Sequence, residues 1–575
     1  MNKHKDANLE DGKAAINHPL KKRIIISAVL FAIISILLIA SVSLADSFIF
    51  NLGINDSIDV FCEGRGIQID PISETFVSIT CFDGRIQATA TPLPFTATPL
   101  PLTATSHSTI EPGQTPTATA APQGQAIYVA PNGNDNWPGT IDQPLQTIQK
   151  AIDLVHAGNT IYLRGGQYVE KIHIQKSGTV DHPITIAAYP GENPVIDGQY
   201  NIPAGDPAAC NGTVSPPKCY VYAPLVLIQG NYIVFSGIEV MHSRGRGITV
   251  AAENGVRPHH VTIEKCSVHD VRSAAIQIMD SDYITVNGCE AFHASDFATH
   301  ARSGYDLNWP VAVNSIRASQ VIFSNNVIYE NYGEGIAAGR DSLNVRIENN
   351  VIYNNYALQV YIHRSQHVKV AQNLVYHTND PAFHRGGNPS QCIVVNNELN
   401  FVDSLTVKNI EIVNNFVAGC RHNISIWGVN TSDVITENVL IAHNTLVNAK
   451  TNNDTSAVGL NINAGNLRNV RIMSNIIIQD EDEIVSSTTN PEVIFANNLW
   501  SRTPPGNVSS SSDIVGDARL VSGNISLIPG GVNAASFMIA DDSPAINRAQ
   551  SRLVDVDYFG NGRVTQPDIG AHENR

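Results

Sequence analysis

VIFSNNVIYENY at 321–332, VRIENNVIYNNY at 345–356 and VKVAQNLVYHT at 368–378 are three versions of one segment. The pattern occurs earlier as ITVNGCEAF and later as IEIVNNFVAGC, VLIAHNTLVNA, VRIMSNIIIQD and VIFANNLW. Aligned, these segments put Cys266, Cys289, Asn326, Asn350, Asn373, Asn415, Asn444, Asn475 and Asn498 at one repeat position, 23 or 24 residues apart wherever nothing is inserted. A unit this short cannot bury its own apolar face and must stack on its neighbours. The period predicts an all-β chain folded as a right-handed parallel β-helix solenoid, each coil ~4.8 Å above the last. Equivalent Asn amides then hydrogen-bond along the axis as a buried ladder. Val327, Ile328 and Tyr329 fall over Val351, Ile352 and Tyr353, and these over Leu374, Val375 and Tyr376. Leucine-rich and propeller repeats require other periods and signatures.

At 575 residues the chain exceeds one ordinary globular core, which suits a quasi-linear array. Only 15% of residues are charged, and the formal net charge is -16. That field repels polyanions, so nucleic acid is excluded as a partner. The balance is local, however: between 240 and 390 stand 12 Lys plus Arg against 13 Asp plus Glu, with 10 of the 19 His. An anionic sugar is acceptable there. The 8 cysteines fit an oxidising compartment but are too few to frame so large a chain. Cys62 with Cys81 and Cys210 with Cys219 are expected disulfides. Cys266 and Cys289, stacked on adjacent coils, are expected as free buried thiols. No Cys/His spacing suggests zinc.

Residues 24–45 are an uncharged apolar run of about bilayer length preceded by Lys21, Lys22 and Arg23. They read as a transmembrane helix with residues 1–23 cytoplasmic, or as a signal peptide cleaved near Ser43-Leu44-Ala45. Either way the remainder is expected outside the cell, on the surface or secreted. Residues 46–85 suit a small disulfide-closed module. Residues 86–125 are a Thr/Pro-rich tract that cannot bury a core and should act as a spacer.

From Ala126 a strand, a Gly/Asn/Pro loop, an amphipathic helix with Ile148, Ala151, Ile152 and Val155 on one face, and a second strand follow in order. This stretch resembles the N-terminal cap of pectate-lyase-like β-helix proteins, which implies a solenoid over 126–535 closed at its first coil by a short helix. The segment DSPAINRAQSRLVDVDYFGNGRVTQPDIGAHE resembles a terminal segment of bacterial surface β-helix proteins, so 536–575 is read as a C-terminal cap. Asp555, Asp557, Asn561 and Asp568 there lack the EF-hand ligand register.

In a solenoid the outward strand positions are the ones left for function. Counted from the ladder, one outward file runs through Thr249, Gln277, Ala337, Tyr361, Ser425 and Asn461, and the next through Met279, Gly339, His363, Trp427 and Asn463. Trp427 offers a sugar-stacking face or is packed under a loop. Two insertions interrupt the period. HASDFATHARSGYDLNWP carries Asp296, His300, Arg302, Tyr305, Asp306 and Trp309, and NDPAFHRGGNPSQC carries Asp380, His384 and Arg385. Such loops build groove walls, so Trp427, His384, Arg385, Arg302 and Tyr305 are candidate substrate contacts.

The segment GEGIAAGRDSLNVRIENNVIYNNYALQVYIHRSQHVKVAQN resembles the catalytic coils of alginate and chondroitin β-helix lyases. That resemblance implies β-elimination on a polyuronate, with Glu334 as an acidic metal-site residue, Arg340 at the basic position and Arg364 as a second cation. Elimination needs a positive group on the carboxylate and a base near the α proton. The family places Lys at the basic position, and an Arg does not give up its proton, so Tyr361 or His363 must supply the base. Calcium is the one cofactor this reading admits, with Glu334, Asp296 and Asp306 as its candidate ligands. A hydrolase would need a carboxylate pair, Glu334 with Asp341 or Asp296 with Asp306. A non-catalytic carbohydrate-binding or adhesion module is the remaining alternative. The expected partners are a polysaccharide and, through the N-terminal helix, a membrane, with the protein itself a monomer.

Overall fold

In a computed structural model, the structure describes residues 124–202, 223–295, 311–397, 406–428, 434–453, 456–549 and 553–575, together with short backbone strands between 24 and 82. Residues 1–107 and 108–575 form two separate compact units. In the first, Ser47–Asn51, Phe76–Phe82 and Gly66–Pro71 make an antiparallel three-stranded sheet. The membrane-crossing helix expected over 24–45 is not supported. Ile24–Ile25 pairs as a short strand with Asp59–Val60, and residues 26–46 lie outside the described residues. Among the described residues no helix is long and apolar enough to cross a membrane. The expected Cys62–Cys81 and Cys210–Cys219 disulfides also involve positions outside the described side chains.

The second unit is a parallel β-helix. Its described residues form three parallel sheets of 13, 13 and 11 strands, and consecutive strands of the chain visit them in rotation. One coil is Leu343–Glu348 in the first sheet, Val351–Tyr353 in the second and Leu358–His363 in the third. The next coil repeats it with Gln366–Ala371, Leu374–Tyr376 and Gln391–Asn397. Inward positions in all three sheets are mostly Ile, Val and Leu, packed into one continuous core.

The ladder stands as the period predicts. The amide oxygen of Asn350 accepts from the backbone N and Nδ2 of Asn326, both at 2.9 Å. The same pair of contacts links Asn350 to Asn373, Asn373 to Asn415, Asn415 to Asn444, Asn444 to Asn475 and Asn475 to Asn498. Cys289 N opens the series on Asn326, and Asp513 closes it by accepting from Asn498 N. The residue before each ladder position takes a left-handed turn conformation: Asn325, Asn349, Gln372, Asn414, His443, Ser474 and Asn497 lie at φ 53–58°. The Asn-Asn doublets therefore divide the work. The first Asn tolerates the positive φ, and the second satisfies the buried backbone of the preceding coil.

Tyr329, Tyr353 and Tyr376 stack as expected, at centroid distances of 5.0 and 4.9 Å, and the file extends through Phe292 to His269. Part of this file faces outward under the C-terminal segment. Phe537 and Ala571 pack on Tyr353, Leu374, Tyr376 and Phe416, and Gly530 N donates to Tyr376 Oη. The segment therefore lies along the outer face of the second sheet. A buried ion pair, Arg563 to Glu573 at 3.0 Å, pins it, and Arg563 also donates to Asn414 Oδ1. Asp557 accepts from the backbone N of Phe559, Asn561 and Glu573, and Asp568 from those of Asn547 and Asn574. These carboxylates hold the tail's own backbone together.

At the other end, helix Ile148–Leu154 buries Ile148, Ala151 and Ile152 over the first coils, with Val155 also buried. Thr147 caps it by accepting from Lys150 N, and Glu170 accepts from Ile148 N and Gln149 N, an anion held where the helix end exposes its amides. Thr147→Ala is expected to cost about 1 kcal/mol, read as a lowered urea midpoint with unchanged slope. Cys266 and Cys289 are free and buried. The disulfide Cys392–Cys420 was not legible, because the two residues share no repeat position.

Candidate functional site

The outer face of the third sheet carries the candidate site. Register places Thr249, Gln277, Asn314, Ala337, Tyr361, Val394, Ser425, Asn461 and Ser486 in one file. The neighbouring file brings His363, Asn396 and Trp427 onto three consecutive coils. Asn463 follows, its N bonded to Ile426 O. Both files agree with the spacing, apart from Asn314, Val394 and Asn396, which the two insertions had moved out of simple count.

At the centre, Asn396 Nδ2 donates to Tyr361 Oη at 3.0 Å, and Tyr361 Oη lies 3.1 Å from His363 Nδ1. The phenol can donate its proton to the imidazole in the tautomer that leaves Nδ1 unprotonated. Tyr361 and His363 are each 7% exposed. The tyrosine ring belongs to an outer apolar patch with Ala337, Leu358 and Val394, against which Val311 and Trp427 pack. Trp427 is half-buried, and its Nε1 is buried with no hydrogen-bond partner. Burial, with Arg364 and then Arg340 adding positive charge, pushes the His363 imidazole down to about 4. It is therefore neutral at physiological pH.

Both arginines lie in the turn between the third and first sheets, but not at strictly equivalent places. The turn from Ala338 to Leu343 holds one residue more than the turn from Ile362 to Gln366. The left-handed file runs through Arg317, Asp341 and Arg364, which leaves Arg340 one place ahead of it. Arg340 is half-buried, whereas Arg364 is 1% exposed. Arg340 is thus the more accessible of the two.

The other candidates are dispersed. Glu334 opens the strand Glu334–Ala338 and pairs with Val311, roughly 20 Å along the chain from Arg340 at ~3.3 Å per residue. His384 and Arg385 follow the short helix Pro381–Phe383, before the third-sheet strand begins. There His384 lies 5.7 Å from the His377 ring and 3.4 Å from Asn452 Nδ2, at the edge of the sheet opposite the turn that holds Arg340. Asp296, Arg302, Tyr305 and Asp306 lie outside the described residues. Among the described residues no three His, Cys, Asp or Glu side chains converge as a metal site.

Residues 127–369 match the family model for the Pel9A-like right-handed β-helix region. That match covers less than half of the chain; the residues within it are similar to this family, and the structure shows them as part of a parallel β-helix. The matched region takes in Glu334, Arg340, Tyr361, His363 and Arg364 and stops short of Asn396 and Trp427. Pectate lyase PEL9 of Emericella nidulans is 42% identical over 122 residues, 19% of this chain and 29% of that protein. Pectate lyase L of Thermoclostridium stercorarium is 27% identical over 230 residues, 36% of this chain and 18% of that protein. The chain thus aligns with less than a third of each of these relatives. Among solved structures, pectate lyase Pel9A has a TM-score of 0.45 at 18% identity, covering 78% of this chain and 96% of that one. XylC in complex with xylose has a TM-score of 0.47 at 13% identity, covering 78% and 98%.

Proposed function

We propose that the protein cleaves an acidic polysaccharide by β-elimination on the outer face of the third sheet, outside the cell. The observation that carries this reading is the hydrogen-bonded series Asn396, Tyr361, His363 beside the half-buried Arg340. Arg340 would neutralise the uronate carboxylate, which acidifies the proton on the adjacent carbon. Tyr361 Oη would take that proton as it passes its own to His363 Nδ1. The electron pair left on carbon forms the double bond and expels the glycosidic oxygen, which leaves carrying a proton from solvent or from the site. Burial first, then the charges of Arg364 and Arg340, hold the free imidazole unprotonated. A bound carboxylate offsets their field and makes the imidazole a better base only once substrate is present.

The test is digestion of pectate, alginate and chondroitin by the full chain, with and without calcium, followed by ultraviolet absorbance. Unsaturated ends are expected from at least one polymer. New reducing ends without that absorbance would assign a hydrolase instead, and no cleavage at all would remove the enzymatic reading. The pH profile is a second expectation. Because the relay needs a neutral imidazole, kcat/KM should hold above and fall as pH drops through about 4, the free-enzyme value. An acidic limb near the ordinary histidine pKa of about 6.5 would remove His363 from the relay.

A further inference from the structure

Past the proposed scission point the two outward files carry no charged side chain. Toward the C-terminal end the first file continues from Val394 to Ser425, Asn461 and Ser486, and the second from Asn396 to Trp427 and Asn463. Asn461 Nδ2 donates to Ser425 Oγ at 3.0 Å, and Asn463 Nδ2 bonds to Asn461 Oδ1 and, at 3.3 Å, to Ser486 Oγ. Beside Asn463 opens a cleft of about 340 Å³, walled by Ala464, Gly465 and residues 488–491, Thr-Thr-Asn-Pro. It is a run of amides, hydroxyls and one indole, with no cation among them.

We propose that these coils form a subsite for an uncharged sugar unit, so that the substrate is a heteropolysaccharide alternating uronate with neutral sugars. The inference rests on the elimination reading only for where the cut falls. A homopolyuronate laid along the axis would set a carboxylate over every coil or so, because the ~4.8 Å coil rise is close to the advance of one pyranose. Each carboxylate would need a cation or pay for its desolvation. This face places its reachable cation, Arg340, at the scission coil and offers neutral groups beyond it. Trp427 and Asn463 lie two and three coils past His363. An indole gives the apolar face of a neutral sugar a stacking surface, and the accessible side chains of Asn461, Asn463 and Ser486 can exchange their mutual hydrogen bonds for those of ring hydroxyls.

The experiment is native affinity electrophoresis of the full chain in gels containing polygalacturonate, chondroitin or rhamnogalacturonan at equal uronate content. In the latter two polymers uronate alternates with an uncharged sugar. At least one of them should retard the chain at about tenfold lower concentration than polygalacturonate does, and Trp427→Ala should reduce that preference to about threefold or less. Asn463→Ala, at an exposed position that does not threaten folding, should weaken the same retardation without touching that by polygalacturonate. Equal or stronger retardation by polygalacturonate overturns the proposal, as does no retardation by any polymer, or a preference that both variants leave intact. The elimination reading is judged separately by ultraviolet-absorbing ends. Cleavage of polygalacturonate as fast as of the mixed polymers would keep that reading and remove this subsite, whereas selective retardation without unsaturated products would do the reverse.

Discussion

Asn415→Ala should destabilise the solenoid by about 3–5 kcal/mol, a large value for one substitution. The Asn415 amide oxygen accepts from Asn373 N and Nδ2, and its Nδ2 donates to Val370 O, Val413 O and Asn444 Oδ1. None of these groups reaches water, since Asn373, Asn415 and Asn444 are all 0% exposed. Truncation therefore strands donors and acceptors on both adjacent coils, each costing about 1–3 kcal/mol when buried and unpaired. Lys369→Ala on a neighbouring coil is the comparison, because its ion pair with Glu411 is 3.8 Å long and about half exposed, and such pairs contribute little. Urea denaturation followed by circular dichroism should show a marked fall in midpoint for the first variant and almost none for the second. Equal midpoints would mean that the ladder is ornamental and that the inward Ile and Val files alone hold the coils in register.

Tyr361→Phe should lower kcat on a cleavable polymer by roughly 10²–10⁴ while leaving KM within a few-fold. The phenyl ring keeps its packing against Ala337, Leu358 and Val394, so fold and groove survive. The one atom removed is the oxygen that links Asn396 to His363. Asn396→Ala should cost less, because it orients the phenol and carries no proton itself. If Tyr361→Phe retains full kcat with an intact melting profile, the proton acceptor lies elsewhere and the relay is wrong.

The fold was legible because a solenoid writes its geometry into a period. Equal spacing of Asn326, Asn350 and Asn373 translates directly into vertical stacking, and the files through Tyr329, Tyr353 and Tyr376 follow without further assumption. The candidate site was legible only as far as that counting ran. Tyr361, His363 and Trp427 do share a face, but Asn396 was missed because the insertion at 379–392 separates it from His363 by 33 residues instead of 23 or 24. Burial was not legible at all. Arg340 and Arg364 are chemically alike and 24 apart, yet one extra turn residue leaves the first accessible and sinks the second. Glu334 shows the same limit, since closeness in sequence to Arg340 becomes opposite edges of a sheet once the strand is extended. The C-terminal segment was expected as a cap, and its place along the second sheet depends on aromatic side chains whose outward direction the repeat alone does not reveal.

The most direct test of the proposed chemistry is the mass balance of cleavage. A defined acidic oligosaccharide is incubated with the full chain, and the fragments are weighed by mass spectrometry. Elimination predicts that the fragment masses add up to the parent with nothing gained, one fragment being lighter by one water than its saturated form. Fragments that together exceed the parent by one water per cut would contradict it.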